Sequence, residues 1–594
     1  MAMSGTRKTI LIITSILVAL VLVALLGVAV LLAAFGQRGP NVRDNSVLVL
    51  RVAGPLPDYV PDDPLRRLFG GPEESLTNLV LQLRKAKIDN RIKAVVLDIN
   101  MSGAGWAKSE EIRDAITDFR SSGKEVYAYM ELGMNKEYYI ATACNHIYLA
   151  PPGELFINGL AAEVMFFRGS LDKLGVYPDI YQIGKYKSVG DTFTRKDMSE
   201  AHREFINSLL DDLFNRYVEG IAKARGKTPD EVRAIIDNSP YGALKAKEAG
   251  LIDSVSYRDE LDKEIKSKLG YKESDELRVV KGSEYRGVSP ESLGLDKGER
   301  IAVIYATGNI GSGRSDNSPT GDQSIGSDTL AKALNDARDD KTIKAIVLRV
   351  DSPGGSGLAS DIIWHAVDSA KQKKPVVVSM GDVAASGGYY ISASANKIIA
   401  QPSTITGSIG VVAGKPVMKG FYDWIGLSNE YVLRGKNAGM FRETEKFTPD
   451  ERAKFEEWIK TTYYNDFVPK VAAGRGKEAA YIDSVGQGRV WTGSQGKDNG
   501  LVDEFGGLDR AVAIAKQLAN IPADKEVNRV ILPYPQTFLQ QLLIDSTSAE
   551  RQQQRAVFAA LPEDARRALR YMALLDQMKS GQSMLVMPFE LTIK

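Results

Sequence analysis

The sequence predicts an α/β protein made of two tandem copies of one unit, each with a largely parallel sheet. An N-terminal transmembrane helix precedes them and a helical extension follows. Three observations predict this. Short β-branched runs alternate with amphipathic segments, as β-α-β crossovers require. Motifs of the first half recur in the second at one nearly constant offset. One uncharged apolar stretch, residues 9–35, has the length to cross a bilayer.

At the N-terminus, Arg7 and Lys8 precede that stretch. As a helix it spans about 40 Å, more than a hydrocarbon core of about 30 Å. A secretory h-region is shorter, about 7–15 residues. Residues 1–45 therefore read as a cytoplasmic tip and an uncleaved signal anchor. A long signal peptide cleaved near Ala33-Ala34 is the alternative. The Arg-Lys pair favours a cytoplasmic N-terminus and an exported body.

The repeat is visible residue by residue. Ile92-Lys93-Ala94-Val95-Val96-Leu97 recurs as Ile343-Lys344-Ala345-Ile346-Val347-Leu348. Tyr138-Tyr139-Ile140 recurs as Tyr389-Tyr390-Ile391, and Asn145, Ile147 and Pro151 as Asn396, Ile398 and Pro402. Gly184-Lys185 recurs as Gly435-Lys436, and Gly250-Leu251-Ile252-Asp253 as Gly500-Leu501-Val502-Asp503. This predicts repeats over 46–295 and 296–535. In the second, Ile301–Tyr305, Ala345–Val350, Val376–Ser379 and Lys397–Ala400 read as strands, and Asp328–Ala337 and Gly357–Ala370 as helices. The Gly/Ser/Asp/Asn-rich run Gly311–Gly321 reads as a loop. Beyond it all, 536–594 carries helical patterns such as Glu563–Met578.

Composition narrows the chemistry. A net charge of +1 gives no footprint for nucleic acid. The single Cys144 excludes an intrachain disulfide and any multi-cysteine metal site. With three histidines and no ligand cluster of zinc spacing, no metal or cofactor is expected. His365, in a helical segment, reads as a packing or surface residue. Any hydrolytic mechanism must then work without histidine.

The chemistry lies where the halves differ. Pro375-Val376-Val377-Val378 runs into Ser379-Met380-Gly381-Asp382-Val383-Ala384-Ala385-Ser386-Gly387-Gly388-Tyr389-Tyr390, a strand, a turn and a helix start. Gly387-Gly388 would free the backbone to turn and leave Ser386 with N–H groups beside it. The first half has Asn135 at that position and lacks both glycines. The turn Asp351-Ser352-Pro353-Gly354-Gly355-Ser356 can aim N–H groups at an anion; its counterpart, Asn100-Met101-Ser102-Gly103-Ala104, keeps one glycine of the pair. Lysine is reversed: Gly184-Lys185-Tyr186-Lys187-Ser188 faces Gly435-Lys436-Asn437-Ala438-Gly439, so Lys187 matches Ala438. One half lacks the serine and the other the lysine, which predicts one composite site with Lys187 serving Ser386. An exposed lysine is protonated at neutral pH and cannot be a base. Burial must lower its pKa, and bringing it near neutrality costs about 4 kcal/mol. Ser408, in Thr406-Gly407-Ser408-Ile409-Gly410, could orient the amine or be a packing serine in a turn.

Together, the Ser379–Tyr390 run, the Asp351–Gly355 turn, Pro402–Gly410 and Gly184–Ser188 resemble the signal peptide peptidase A family in its long, duplicated form, also called protease IV. The resemblance covers nearly the whole chain. It implies a Clp-protease/crotonase-like fold in each half and a serine endopeptidase of the bacterial inner membrane. The body would lie in the periplasm and degrade cleaved signal peptides, which are hydrophobic. It puts the nucleophile on Ser386, the base on Lys187 and the lysine-orienting hydroxyl on Ser408. Oxyanion donors fall on Gly387 and on Gly354 or Gly355. It also implies a homotetramer held to the lipid bilayer through residues 9–35. A crotonase-type acyl-thioester enzyme and an inactive scaffold are the competing readings; the first needs a carboxylate beside the oxyanion turn and cytosolic coenzyme A.

Overall fold

Runs such as Leu48–Leu50 and Val95–Leu97 carry no polar side chain, the pattern of strands covered on both faces. In the computed structural model, which describes residues 42–60, 74–315, 324–534, 583–587 and 592–593 with scattered helical positions within 14–27 and 557–572, they sit in a parallel sheet. Strands β1 (Ser46–Gly54), β2 (Ile92–Ser102), β3 (Glu125–Met134) and β4 (His146–Phe156) lie in the order β4-β3-β2-β1, with Val279–Lys281 beside β1. The first half then sends out β5 (Tyr177–Ile183).

The second half repeats the plan. Strands β6 (Glu299–Thr307), β7 (Ile343–Ser352), β8 (Gly354–Ser356), β9 (Val376–Ala385), β10 (Ile405–Gly407) and β11 (Val411–Val417) follow in the chain. A second sheet has the order β10-β9-β7-β6, with Val527–Leu532 beside β6 as Val279–Lys281 is beside β1. The expected strands fall within β6, β7 and β9 and at Lys397–Ala400. The expected helices fall within Ser327–Asp339 and Gly357–Lys371. The expected loop opens on a strand end, Asn309–Gly311, and its positions 316–321 lie outside the described residues.

A third sheet joins the halves. Its order is Ser324–Gly326, Asn309–Gly311, β8, β12 (Met584–Val586), β11 and β5. Strand β5 of the first half pairs antiparallel with β11 of the second, from Ile183 opposite Val411 to Tyr177 opposite Val417. Strand β12 lies in the stretch expected to be a helical extension. A second short strand of that stretch, Thr592–Ile593, pairs antiparallel with Ala162–Glu163; most of the remainder, and of the anchor at 9–35, falls outside the described residues. Among the described residues, no helix is long and apolar enough to cross a membrane.

Helix α1 (Trp106–Arg120) of the first half docks on the second through polar contacts. Its N-cap is Gly105, which has no side chain to cap with. Asp382 of the second half supplies the cap, accepting from the Gly105 and Lys108 amides at 3.1 and 2.9 Å. A Cβ on Gly105 would lie 2.3 Å from the Asp382 carboxyl carbon, so a larger residue there would displace the capping carboxylate. Further along α1, the Glu110 carboxylate accepts from the Ser403 hydroxyl at 2.7 Å and amide at 2.9 Å. Glu111 meets Arg349 of β7 at 2.9 Å. Arg349 also holds Asp58 at 2.8 Å, and Lys108 holds Asp351 at 2.8 Å. Burial disfavours the Lys108 and Arg349 cations, but the surrounding carboxylates more than offset it and raise both pKa values.

This network predicts a specific failure. Arg349→Ala leaves Glu111 buried without its cation and Asp58 with only Lys108, 3.7 Å away, a loss of about 3–5 kcal/mol. Guanidinium unfolding should show a markedly lower midpoint; an unchanged midpoint would mean the network does not hold the halves together.

Candidate active site

Strand β9 continues past its valines through Gly381 to Ala385, farther than the sequence suggested. The chain then turns at Ser386, with φ 55° and ψ −112°, into helix α2 (Gly387–Ser392). The strained conformation therefore falls on the serine itself, and neither Gly387 nor Gly388 has a positive φ. The glycines serve close packing instead. A Cβ on Gly387 would lie 2.7 Å from the Ser360 hydroxyl, and one on Gly388 would lie 2.6 Å from the Ser352 carbonyl oxygen. Backbone bonds hold the turn: the Ser386 amide donates to the Gly407 carbonyl at 2.8 Å, and the Tyr390 amide to the Ser386 carbonyl at 2.8 Å.

Lys187 arrives from the other half. It follows β5, so the β5–β11 pairing fixes where its loop begins. The Tyr186 amide donates to the Gln487 carbonyl at 2.8 Å. Gly488, at φ +74°, presses on the Lys187 backbone, where a Cβ would lie 2.5 Å away. The amine nitrogen lies 2.7 Å from the Ser386 hydroxyl, 3.0 Å from the Ser408 hydroxyl and 3.1 Å from the Ser408 carbonyl oxygen. Lys187, Ser386 and Ser408 are each fully buried. Burial, with no carboxylate to oppose it, holds the Lys187 pKa well below the ordinary lysine value. Ser408, like Ser386, has a positive φ, of 51°. Two strained serines thus face one amine.

The glycine turn lies across from α2. The Gly354 amide donates back to the Ser352 hydroxyl at 3.1 Å. Gly355 instead sits in the ladder with β12, opposite Leu585. Gly387 is the first residue of α2, where an amide has no intrahelical acceptor. The amide nitrogen of Gly387 and the α-carbon of Gly354 approach so closely that a Cβ on Gly354 would lie 2.8 Å from that nitrogen.

The equivalent position in the first half has no such chemistry. Asn135 starts a helix as Gly387 does, but its amide donates to the Gly159 carbonyl at 2.8 Å and its oxygen accepts from Tyr217. The histidines lie elsewhere: His146 beside Glu125, His202 stacked on Phe205, and His365 exposed on Gly357–Lys371. The sequence reading missed two features, the ionic cluster around Arg349 and the strand at Met584–Val586. The run Met584-Leu585-Val586-Met587, between Gly581 and Pro588, carried a strand signal.

Comparison with known proteins agrees with this layout. The model of Peptidase family S49 matches twice, at residues 118–272 and 368–522, once in each half. The chain is 39% identical over 503 residues to "Serine protease SPPA, chloroplastic" of Arabidopsis thaliana, covering 84% of this chain and 73% of that protein. It is 37% identical over 472 residues to "Protease 4" of Salmonella typhi, covering 77% and 75%. Among solved structures, a ClpP1 mutant from Listeria monocytogenes aligns with 35% of this chain and 92% of its own, at 16% identity and a TM-score of 0.23.

The buried amine has a pH signature. Its folded pKa is depressed, so the unfolded chain binds the extra proton and stability rises with pH up to the ordinary lysine value. Lys187→Met removes that penalty. Its thermal midpoint at pH 7 should exceed that of the unsubstituted chain, and the gap should narrow as the pH approaches about 10.4. A lower midpoint at pH 7 would mean that the amine is charged and stabilising in the fold.

Proposed function

The chain belongs to peptidase family S49 and is a serine protease; from that premise we propose that it cleaves peptides with Ser386 as nucleophile and Lys187 as general base. The observation that carries this reading is the 2.7 Å contact between a fully buried amine and a fully buried hydroxyl, with burial holding the amine's pKa down. The neutral amine takes the Ser386 proton as the oxygen attacks the scissile carbonyl. It then hands that proton to the leaving amine. A water, activated by the same lysine, releases the acyl group. Ser408 orients the amine by accepting one of its hydrogens. The Gly387 amide, with that of Gly354 or Gly355, stabilises the oxyanion.

Hydrophobic peptides are the proposed substrates, cleaved signal peptides in particular. The apolar residues 9–35 and the charges before them support a single-pass anchor in a bacterial inner membrane, with the body in the periplasm. The resemblance supports two Clp-protease/crotonase-like units over 46–295 and 296–535 and a homotetramer. An acyl-thioester enzyme would need a free carboxylate by the glycine turn. Asp351, at the start of that turn, is already held by Lys108.

Ser386→Ala and Lys187→Ala should each lower peptide hydrolysis by about three orders of magnitude or more while the circular dichroism stays native. His365→Ala should leave the rate unchanged. Retained activity in Lys187→Ala at pH 7 would refute the lysine's role, and loss of activity in His365→Ala would point to a histidine base.

A further inference from the structure

We propose that Asp351 positions the nucleophile: its carboxyl bridges a bulge in β9 that aims Ser386, and it does so as one half of an acid pair with Asp58 that holds a single proton. The inference rests on the reading of Ser386 as nucleophile given above.

The bulge is where β9 changes neighbour. Val377–Ser379 pair with Lys397–Ile399, whereas Val383–Ala385 pair with β10. Against β7 the register slips at the same place. Val350 faces Met380 and Ser352 faces Ala384, so Asp351 alone stands opposite Gly381, Asp382 and Val383. Bulges of this kind re-aim side chains beside active sites. The Asp351 side chain takes over from the ladder here: its Oδ1 accepts from the Val383 amide at 3.0 Å. Gly381 lets it come this close, since a Cβ there would lie 2.9 Å from the Asp351 β-carbon. Its Oδ2 is held by Lys108 of the first half at 2.8 Å. Ser386 follows shortly after Val383, and the glycine turn begins directly after Asp351. One carboxyl thus ties together the strand of the nucleophile, the turn and the other half. The first half, which has no nucleophile, has Asn100 in its place.

The surrounding hydrogen bonds require the proton. The carboxylates of Asp58, Glu111, Asp351 and Asp382 outnumber the two cations, Arg349 and Lys108. Glu111 also accepts from the Leu508 amide at 2.7 Å, and Asp382 from the two amides of the α1 start. Asp58 is less well served. Its Oδ1 accepts from Arg349 at 2.8 and 3.1 Å, but its Oδ2 is buried, with Lys108 3.7 Å away and no donor upon it unless Asp351 supplies one. The Asp351 carboxyl is its hydrogen-bonding neighbour. Two carboxyl groups can hydrogen-bond only when one of them carries a proton. Without it, two like charges would meet out of reach of water. Burial raises the Asp351 pKa; Lys108 opposes the rise, and the charges of Asp58 and Asp382 add to it. Burial acts on Asp58 too, but Arg349 and Lys108 outweigh it and lower its pKa. The proton therefore rests on the Asp351 side. Tyr305 of β6 completes the titratable groups that face the pair.

The test uses the full chain. Asp351→Ala should lower kcat for an apolar fluorogenic peptide by about tenfold or more with KM held within about twofold. Acylation of Ser386 by a fluorophosphonate should slow in parallel. If Asp351→Ala does not fold because it strands Lys108, the double variant Lys108→Met/Asp351→Ala removes both charges and carries the same expectation. Asp58→Asn puts an amide N–H where the shared proton was, and should recover most of the rate that Asp58→Ala loses. Infrared difference spectra of the unsubstituted chain against Asp58→Asn at about pH 5, above the ordinary aspartate value, should show a protonated-carboxyl band in the unsubstituted chain alone. Unchanged kcat and unchanged labelling of Ser386 in Asp351→Ala would overturn the positioning role and leave the serine assignment standing. A difference spectrum without that band would overturn the shared proton. No labelling of Ser386 in the unsubstituted chain would overturn the proposal and the serine assignment together.

Discussion

A lysine amine shut away from water, with two hydroxyls and a carbonyl around it and no carboxylate, is the constraint on which the rest of the structure depends. Water would protonate it, and a carboxylate would keep it protonated. Both must be excluded, and the fold does so with backbone rather than with bulk. Gly488 and Gly410 let main chain lie directly on the lysine, at separations that any side chain would prevent. The unfavourable burial is sustained by the large apolar cores to either side and by the β5–β11 pairing that fixes the start of the loop carrying Lys187.

The ionic cluster around Arg349 is the complementary device. Where the lysine is kept from any counter-charge, the carboxylates of Asp58, Glu111, Asp351 and Asp382 are packed around two cations, Arg349 and Lys108. Such a cluster tolerates little displacement, since a shifted carboxylate would be left desolvated. It therefore sets the relative position of the halves. Asp382 lies four residues before Ser386, so the contact that caps a helix of the first half also anchors the strand leading to the strained serine.

Much of this was legible in the sequence because the chain carries its own comparison. Ile92–Leu97 against Ile343–Leu348 locates equivalent strands, and the parallel order then follows from right-handed crossovers. The mismatches, Asn135 against Ser386 and Ala438 against Lys187, marked the two residues that the fold brings together. What stayed hidden depends on contacts distant in sequence. Nothing local to Asp382 says that it will cap a helix that begins at Trp106. The turn at Ser386 was assigned to the freedom of Gly387 and Gly388, because propensity cannot show that surrounding hydrogen bonds force the serine into the unusual conformation. The strand at Met584–Val586 has the right residue types, yet its partners lie more than half the second half away in the chain.

The β5–β11 ladder carries an evolutionary corollary. Each half contributes a strand whose open edge would, in a free-standing copy, be a sticky border seeking another molecule. Fusion of the copies lets one border satisfy the other within a single polypeptide. With the proposed pair split between the copies, Asn135 can stand opposite Ser386 and Ala438 opposite Lys187 without either copy needing both groups.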